Sequence, residues 1–142
     1  MKTLFALTAL VFLWSLPAWA EIAILDPYAR IIGSNGVVYF AVRNTGTTDD
    51  VLLSAQSPLG MAMLMTSAQD ATGMMQMRPV PDGFIVRAGE VHLLAPAADH
   101  VMLSGIAARP DAAFLLILTF GQSGDILVTV PVDNHRRSPP TL

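Results

Sequence analysis

An all-β antiparallel sandwich or barrel is the fold class that this 142-residue sequence predicts. Short runs rich in Val, Ile, Leu, Phe and Tyr alternate with Gly, Pro, Asn and Asp turn signals at regular spacing. No window of a dozen residues carries apolar positions at helical spacing. The longest apolar run of the second half, "AFLLILTF", is bounded by turn residues on both sides, which favours a buried strand over a helix.

The elements follow in chain order. Met1-Lys2, an apolar run from Thr3 to Leu16, Pro17 and the small-residue pattern Ala18-Trp19-Ala20 have the three-part order of a secretory signal peptide. The run falls short of the ~20 apolar residues that a membrane-crossing helix needs. Residues 1–20 are thus expected to be cleaved, giving a periplasmic protein with no membrane span. Its single domain would occupy residues 21–133.

Within that domain "EIAILDPYARI" reads as a first strand ending in the turn cluster Gly33-Ser34-Asn35-Gly36, where Asn-Gly is a hairpin signal. "VVYFAVRN" follows, with Val38, Phe40 and Val42 on one face. A polar loop from Asn44 to Asp50 leads into "VLLSAQS", which Pro58-Leu59-Gly60 stops. "MAMLMTSA" and "MMQMRPV" flank the loop at Gln69 to Gly73 and read as a hairpin. "GFIVRAG", "EVHLLAP" and "HVMLSGI" are short strands, and "AFLLILTF" with "DILVTVPV" forms a closing hairpin across Gly121 to Gly124. Residues 134–142, with Pro139-Pro140, read as a flexible tail.

Composition excludes several function classes. The formal net charge is −3 and Lys2 is the only lysine, so no basic surface exists to neutralise a phosphate backbone, and nucleic acid is not an expected partner. The absence of cysteine removes disulfides, thiolate nucleophiles and every thiolate metal site. No Gly-x-Ser-x-Gly, His-Glu-x-x-His or Gly-rich phosphate loop is present, so the chain is not expected to be an enzyme.

The methionines point to something more specific. Of eight, six lie between Gly60 and Met77. Residues two apart on a strand share a face, so Met61, Met63 and Met65 form one row and Met75 and Met77 another. Further on, His100 and Met102 share a face of a later strand. Thioether sulfur is a soft neutral donor that selects Cu(I), and imidazole is a compatible partner. Packing is the competing use of methionine, as gap-filler or as an adaptable contact patch. His92 reads as a strand residue, His135 as a tail residue that could be an accessory metal contact, and Asp99 as a turn residue.

Three stretches carry a family resemblance: "VVYFAVRNTGTTDDVLLSAQSP", the Met-x-Met-Arg-Pro-Val of "GMMQMRPVPDGFIVRAG", and the His-x-Met-Leu-x-Gly of "HVMLSGI". On these the sequence resembles the periplasmic copper chaperones of the PCuAC type over nearly all of residues 21–133. The resemblance implies a cupredoxin-like Greek-key β-sandwich. It also implies a metal motif of His or Met, a downstream Met, and then His-x-Met. Carried onto this sequence, Met77 is the second ligand and His100 and Met102 are the third and fourth, with Met77 lying 23 positions before His100.

The first position departs from the family pattern, because "MAMLMTSA" contains no histidine. Met65, 12 positions before Met77, is the best stand-in; Met63 is the alternative on the same face, and a gapless alignment puts Thr66 there. A set of Met65, Met77, His100 and Met102 carries no ligand charge and would select Cu(I) over Cu(II). The resemblance further implies transfer of copper by ligand exchange to a recipient protein. That recipient would be a cytochrome oxidase subunit, whose copper site is being assembled, or another copper chaperone. The alternative from a different class is a non-catalytic interaction module of the envelope with a degenerate or absent metal site.

Overall fold

The computed structural model describes Ser15 and residues 19–142; the expected signal peptide therefore lies almost wholly outside the described residues. Ten strands follow in order: β1 (Ile22–Ile32), β2 (Asn35–Asn44), β3 (Asp50–Gln56), β4 (Met61–Gln69), β5 (Met75–Pro79), β6 (Phe84–Val86), β7 (Val91–Leu94), β8 (His100–Ser104), β9 (Ala113–Phe120) and β10 (Gly124–Pro131). One sheet has the order β1-β2-β8-β4-β5, with β7 also paired to β2; the other has the order β10-β9-β3-β6. All ladders between named strands are antiparallel. Strands distant in sequence lie side by side, as β2 with β8 and β3 with β9, which is the Greek-key crossing expected of a cupredoxin-like sandwich.

The alternation read from the sequence is what builds the core. Val38, Phe40 and Val42 of β2 are fully buried, and meet Leu52, Leu116 and Leu118 from the opposing sheet in one cluster. Burying each such side chain stabilises the fold by roughly 1.5–3 kcal/mol. Their neighbours Val37, Tyr39, Ala41 and Arg43 face the other way, so the first sheet has a second face outside the sandwich core.

One turn is narrower than its sequence cluster. Gly33-Ser34 makes the two-residue connection, with Gly33 at φ 60°, while Asn35 and Gly36 are already in β2, opposite Ile32 and Ile31. Gly36 serves close approach rather than turning: a Cβ there would lie 3.2 Å from Ile31 Cγ1 and 3.3 Å from the Arg30 carbonyl oxygen.

Two buried polar groups fix loops. Asn44 donates to the carbonyls of Thr48 (2.8 Å) and Val86 (3.1 Å) and accepts from the Gly46 amide (3.0 Å), which locks the polar loop after β2. Asp50, 2% exposed, accepts from the amides of Val51, Gln122 and Ser123 and from the Ser123 hydroxyl.

Residues 134–142 are held rather than loose, which corrects the expectation of a flexible tail. The Arg136 guanidinium grips the Asp26 carboxylate through both terminal nitrogens and sits 4.1 Å above the Tyr28 ring. Thr141 N–H also donates to Asp26 (2.7 Å), and Tyr28 Oη donates to the Ser138 carbonyl (2.8 Å). A bidentate ion pair combined with cation–π contact orders a Pro-containing segment that composition alone marks as free.

Candidate metal centre

Register assembles the candidate residues on the outer face of the first sheet. β4 lies against β8 with Met65 opposite His100 and Met63 opposite Met102. On its other edge β4 pairs with β5, with Ser67 opposite Met77 and Gln69 opposite Met75. Partners directly opposite share a face, as do residues two apart. Met61, Met63, Met65, Met75, Met77, His100 and Met102 therefore all project from one side, while Ala62, Leu64, Val101 and Leu103 project toward the core.

His100 is the buried member, at 2% exposure, and its setting comes from a break in the sheet. β7 and β8 lie in succession along the same edge of β2: Leu94 pairs with Phe40 and Val101 with Val38. Residues 95–99 bulge out between them in a turn closed by Ala95 N–H to the Asp99 carbonyl (3.0 Å), with Ala97 at φ 64°. That excursion brings the Ala98 carbonyl oxygen 2.9 Å from His100 Nδ1. A carbonyl only accepts, so Nδ1 carries a proton, and in the neutral imidazole Nε2 then carries the lone pair. Nε2 is buried and has no hydrogen-bond partner. An orphaned imidazole nitrogen costs about 1–3 kcal/mol unless something coordinates it.

The surroundings of that nitrogen are soft. His100 and Met77 line one cleft of about 200 Å³, together with Tyr39, Ser67, Met75 and Ala97. The Tyr39 ring stands edge-on to the imidazole, with centroids 6.4 Å apart, and burial raises its phenol pKa. Among the described residues no three of His, Asp and Glu come together as a metal-binding group.

The placement of each expected ligand is thus as follows. Met65 faces His100 across the β4–β8 ladder, Met77 shares its cleft, and Met102 is next on the same face of β8. Met102 also borders a neighbouring depression beside Arg30 and Val37. Thr66, the gapless alternative, projects from the opposite face of β4 and pairs with Arg78, away from His100. His92 is stacked on Phe84 and bonded to Asp99 (2.8 Å between Nε2 and Oδ2), so both have structural partners away from the thioethers. His135 lines a polar cleft with Asp111 and Asp133, apart from the methionines. Tyr39 and the carbonyl of Ala98 were not picked out in the sequence. Tyr39 does carry a signal, being an aromatic residue out of phase with the core row Val38, Phe40 and Val42.

Comparison with known proteins agrees with this architecture. A PCuAC domain from PmoF2, solved with copper bound, superposes with a TM-score of 0.65 at 20% identity over 82% of this chain and 96% of that domain. DR1885 from Deinococcus radiodurans, in its apo solution structure, gives 0.61 at 20% identity over 96% of this chain and 95% of its own. In sequence, "Putative lipoprotein Lxx21020" from Leifsonia xyli subsp. xyli is 28% identical over 108 residues, 74% of this chain; the match spans 65% of that curated relative's length. Residues 22–132 match the family described as "Putative lipoprotein LpqE-like", and the chain belongs to this LpqE-like family.

Proposed function

We propose that this protein is a carrier of Cu(I) outside the cytoplasm, holding the ion at His100 Nε2 with the thioethers of Met65, Met77 and Met102 and releasing it by ligand exchange. One observation carries the reading. A buried, unpartnered imidazole nitrogen, its tautomer fixed by Ala98, belongs to a side chain on the same sheet face as the methionines. Neutral sulfur and nitrogen donors suit a monovalent soft cation and leave a divalent one under-compensated. The copper-bound state of the PmoF2 domain and the Cu(I) form of DR1885, 22% identical at a TM-score of 0.56, support the choice of cargo.

Release follows from the same chemistry. Met77 is 56% exposed at the rim and His100 is at the floor, so an approaching recipient displaces thioethers first and the imidazole last. No covalent step is needed and no catalysis is ascribed to the chain. The recipient is a copper-site protein of the envelope, with a cytochrome oxidase subunit as the first candidate. Removal of residues 1–20 by signal peptidase is part of the same reading, as is a periplasmic location.

X-ray absorption on the Cu(I)-loaded protein tests it: about three sulfur neighbours and one nitrogen are expected. Coordination by oxygen and nitrogen alone, or no stoichiometric copper by native mass spectrometry, would leave the methionine face as a contact surface of a non-metal module.

A further inference from the structure

β4 reverses the usual distribution of a half-buried strand. On the side that faces the core it carries Ala62, Leu64 and Thr66, of which only Leu64 is buried, whereas its outer row begins Met61, Met63, Met65. Met61 is 66% and Met63 44% exposed. The cause is visible in the pairing. β5 joins β4 only from Met65 onward, so Met61 and Met63 have a neighbouring strand on the β8 side alone. On that side Met63 faces Met102 and Met61 faces Ser104.

We propose that Met61 and Met63, with Met102 opposite, form a second and weaker station for a soft monovalent cation, one register step along the sheet from His100. The inference rests on the carrier reading, because it treats the His100 site as the destination. Three thioethers without an imidazole make a donor set of the same softness. Met102 is the hinge between the two positions: it lies opposite Met63 and two residues from His100 on the same face. A cation held by Met61, Met63 and Met102 reaches the Met65–His100 rung by exchanging two thioethers while keeping the third. Because Met102 is shared, the two positions exchange one ion rather than fill together. The exposed station is the place where cargo enters or leaves, and the buried imidazole is where it rests.

Ag(I), a redox-inert probe of the same charge, and the full chain labelled with 13C at its methionine methyls provide the test. At one equivalent in the wild type, the methyls of Met65, Met77 and Met102 are expected to shift. In His100→Asn, the methyls of Met61, Met63 and Met102 are expected to shift instead. The double variant Met61→Leu, Met63→Leu should keep Ag(I) affinity within about twofold, yet hand the ion to a methionine-rich acceptor peptide about tenfold more slowly. Unmoved Met61 and Met63 methyls in His100→Asn, or an unchanged transfer rate in the double variant, would overturn the station while sparing the carrier. Unmoved methyls throughout, wild type included, would overturn both.

Discussion

The Ala98 carbonyl oxygen and His100 Nδ1 lie 2.9 Å apart, and this single contact decides which imidazole nitrogen is left without a hydrogen-bond partner. It arises because residues 95–99 leave the edge of β2 and return, so that a backbone carbonyl turns back onto the side chain two residues later. A strand running straight from Leu94 to Val101 would offer no such acceptor. The carrier reading thus depends on an irregularity of the sheet as much as on the residue types.

His100→Leu separates folding from cargo. The variant removes the buried unpartnered nitrogen at the expense of one hydrogen bond, so the metal-free protein should keep its stability to within about 1 kcal/mol. The stabilisation that Cu(I) or Ag(I) confers on the wild type should vanish. Thermal unfolding with and without one equivalent of Ag(I) measures both. A metal-dependent rise in Tm persisting in the variant would remove His100 from the site.

Thioether substitutions should act on affinity alone. Met77 is exposed and Met65 half-buried on the outer face, so Met77→Leu and Met65→Leu disturb little packing. Each should weaken Cu(I) by about tenfold or more, equivalent to ~1.4 kcal/mol. Competition against a Cu(I) chelator under anaerobic conditions gives the comparison. Met65→Leu with unchanged affinity would show that Met63, or neither residue, completes the first position.

Much of the fold was legible because alternation is a local signal. β2 sends Val38, Phe40 and Val42 into the core cluster as its alternation predicts, although Tyr39 and Ala41 on the other face are buried too, and β9 and β10 form the closing hairpin in the expected place. The residues of the candidate site stand out for the same reason, since Met and His interrupt an otherwise ordinary strand pattern. What was not legible is long-range. The pairing of Met65 with His100 spans two strands that are not adjacent in the chain, and only the register puts them face to face. Likewise the Arg136–Asp26 pair joins residues 110 positions apart, which no local window detects. The turn cluster from Gly33 to Gly36 marks the right place, but which two of its residues turn depends on the close packing of Gly36 on Ile31 and Ile106.

The docked C-terminal segment should be structural. Asp26→Ala removes the acceptor of Arg136 and of the Thr141 amide and should free residues 136–142. The expected loss is about 1–2 kcal/mol, reduced from a buried pair's worth because both side chains are partly solvated. The released segment would also uncover Tyr28, whose ring lies 5.3 Å from that of Tyr39, so Tyr39 should gain mobility beside His100. Amide exchange across residues 134–142 and the ring signals of Tyr39 report both effects. Full protection of the segment in Asp26→Ala would refute the clamp.

Acid should reveal the loop after β9. Burial pushes the Asp50 carboxyl upward, but the Ser123 hydroxyl and the amides of Gln122, Val51 and Ser123 together outweigh it and leave the pKa below its usual value. A carboxylate whose folded pKa is depressed contributes stability that is complete above its unfolded pKa of about 3.9 and is lost as pH falls through the lower folded value. Asp26 has the same sign, since Arg136 and the Thr141 amide hold its carboxyl well below the usual range. The part of the stability that these two carboxylates supply should therefore be flat from neutrality down to about pH 5 and fall below about pH 4. In Asp50→Asn the fall should be shallower, and stability at pH 7 lower by about 2 kcal/mol, because an amide cannot accept at both oxygens. Denaturant midpoints measured at several pH values between neutrality and strong acid decide the matter. A variant whose acid limb keeps the wild-type slope would show that Asp50 contributes nothing to it.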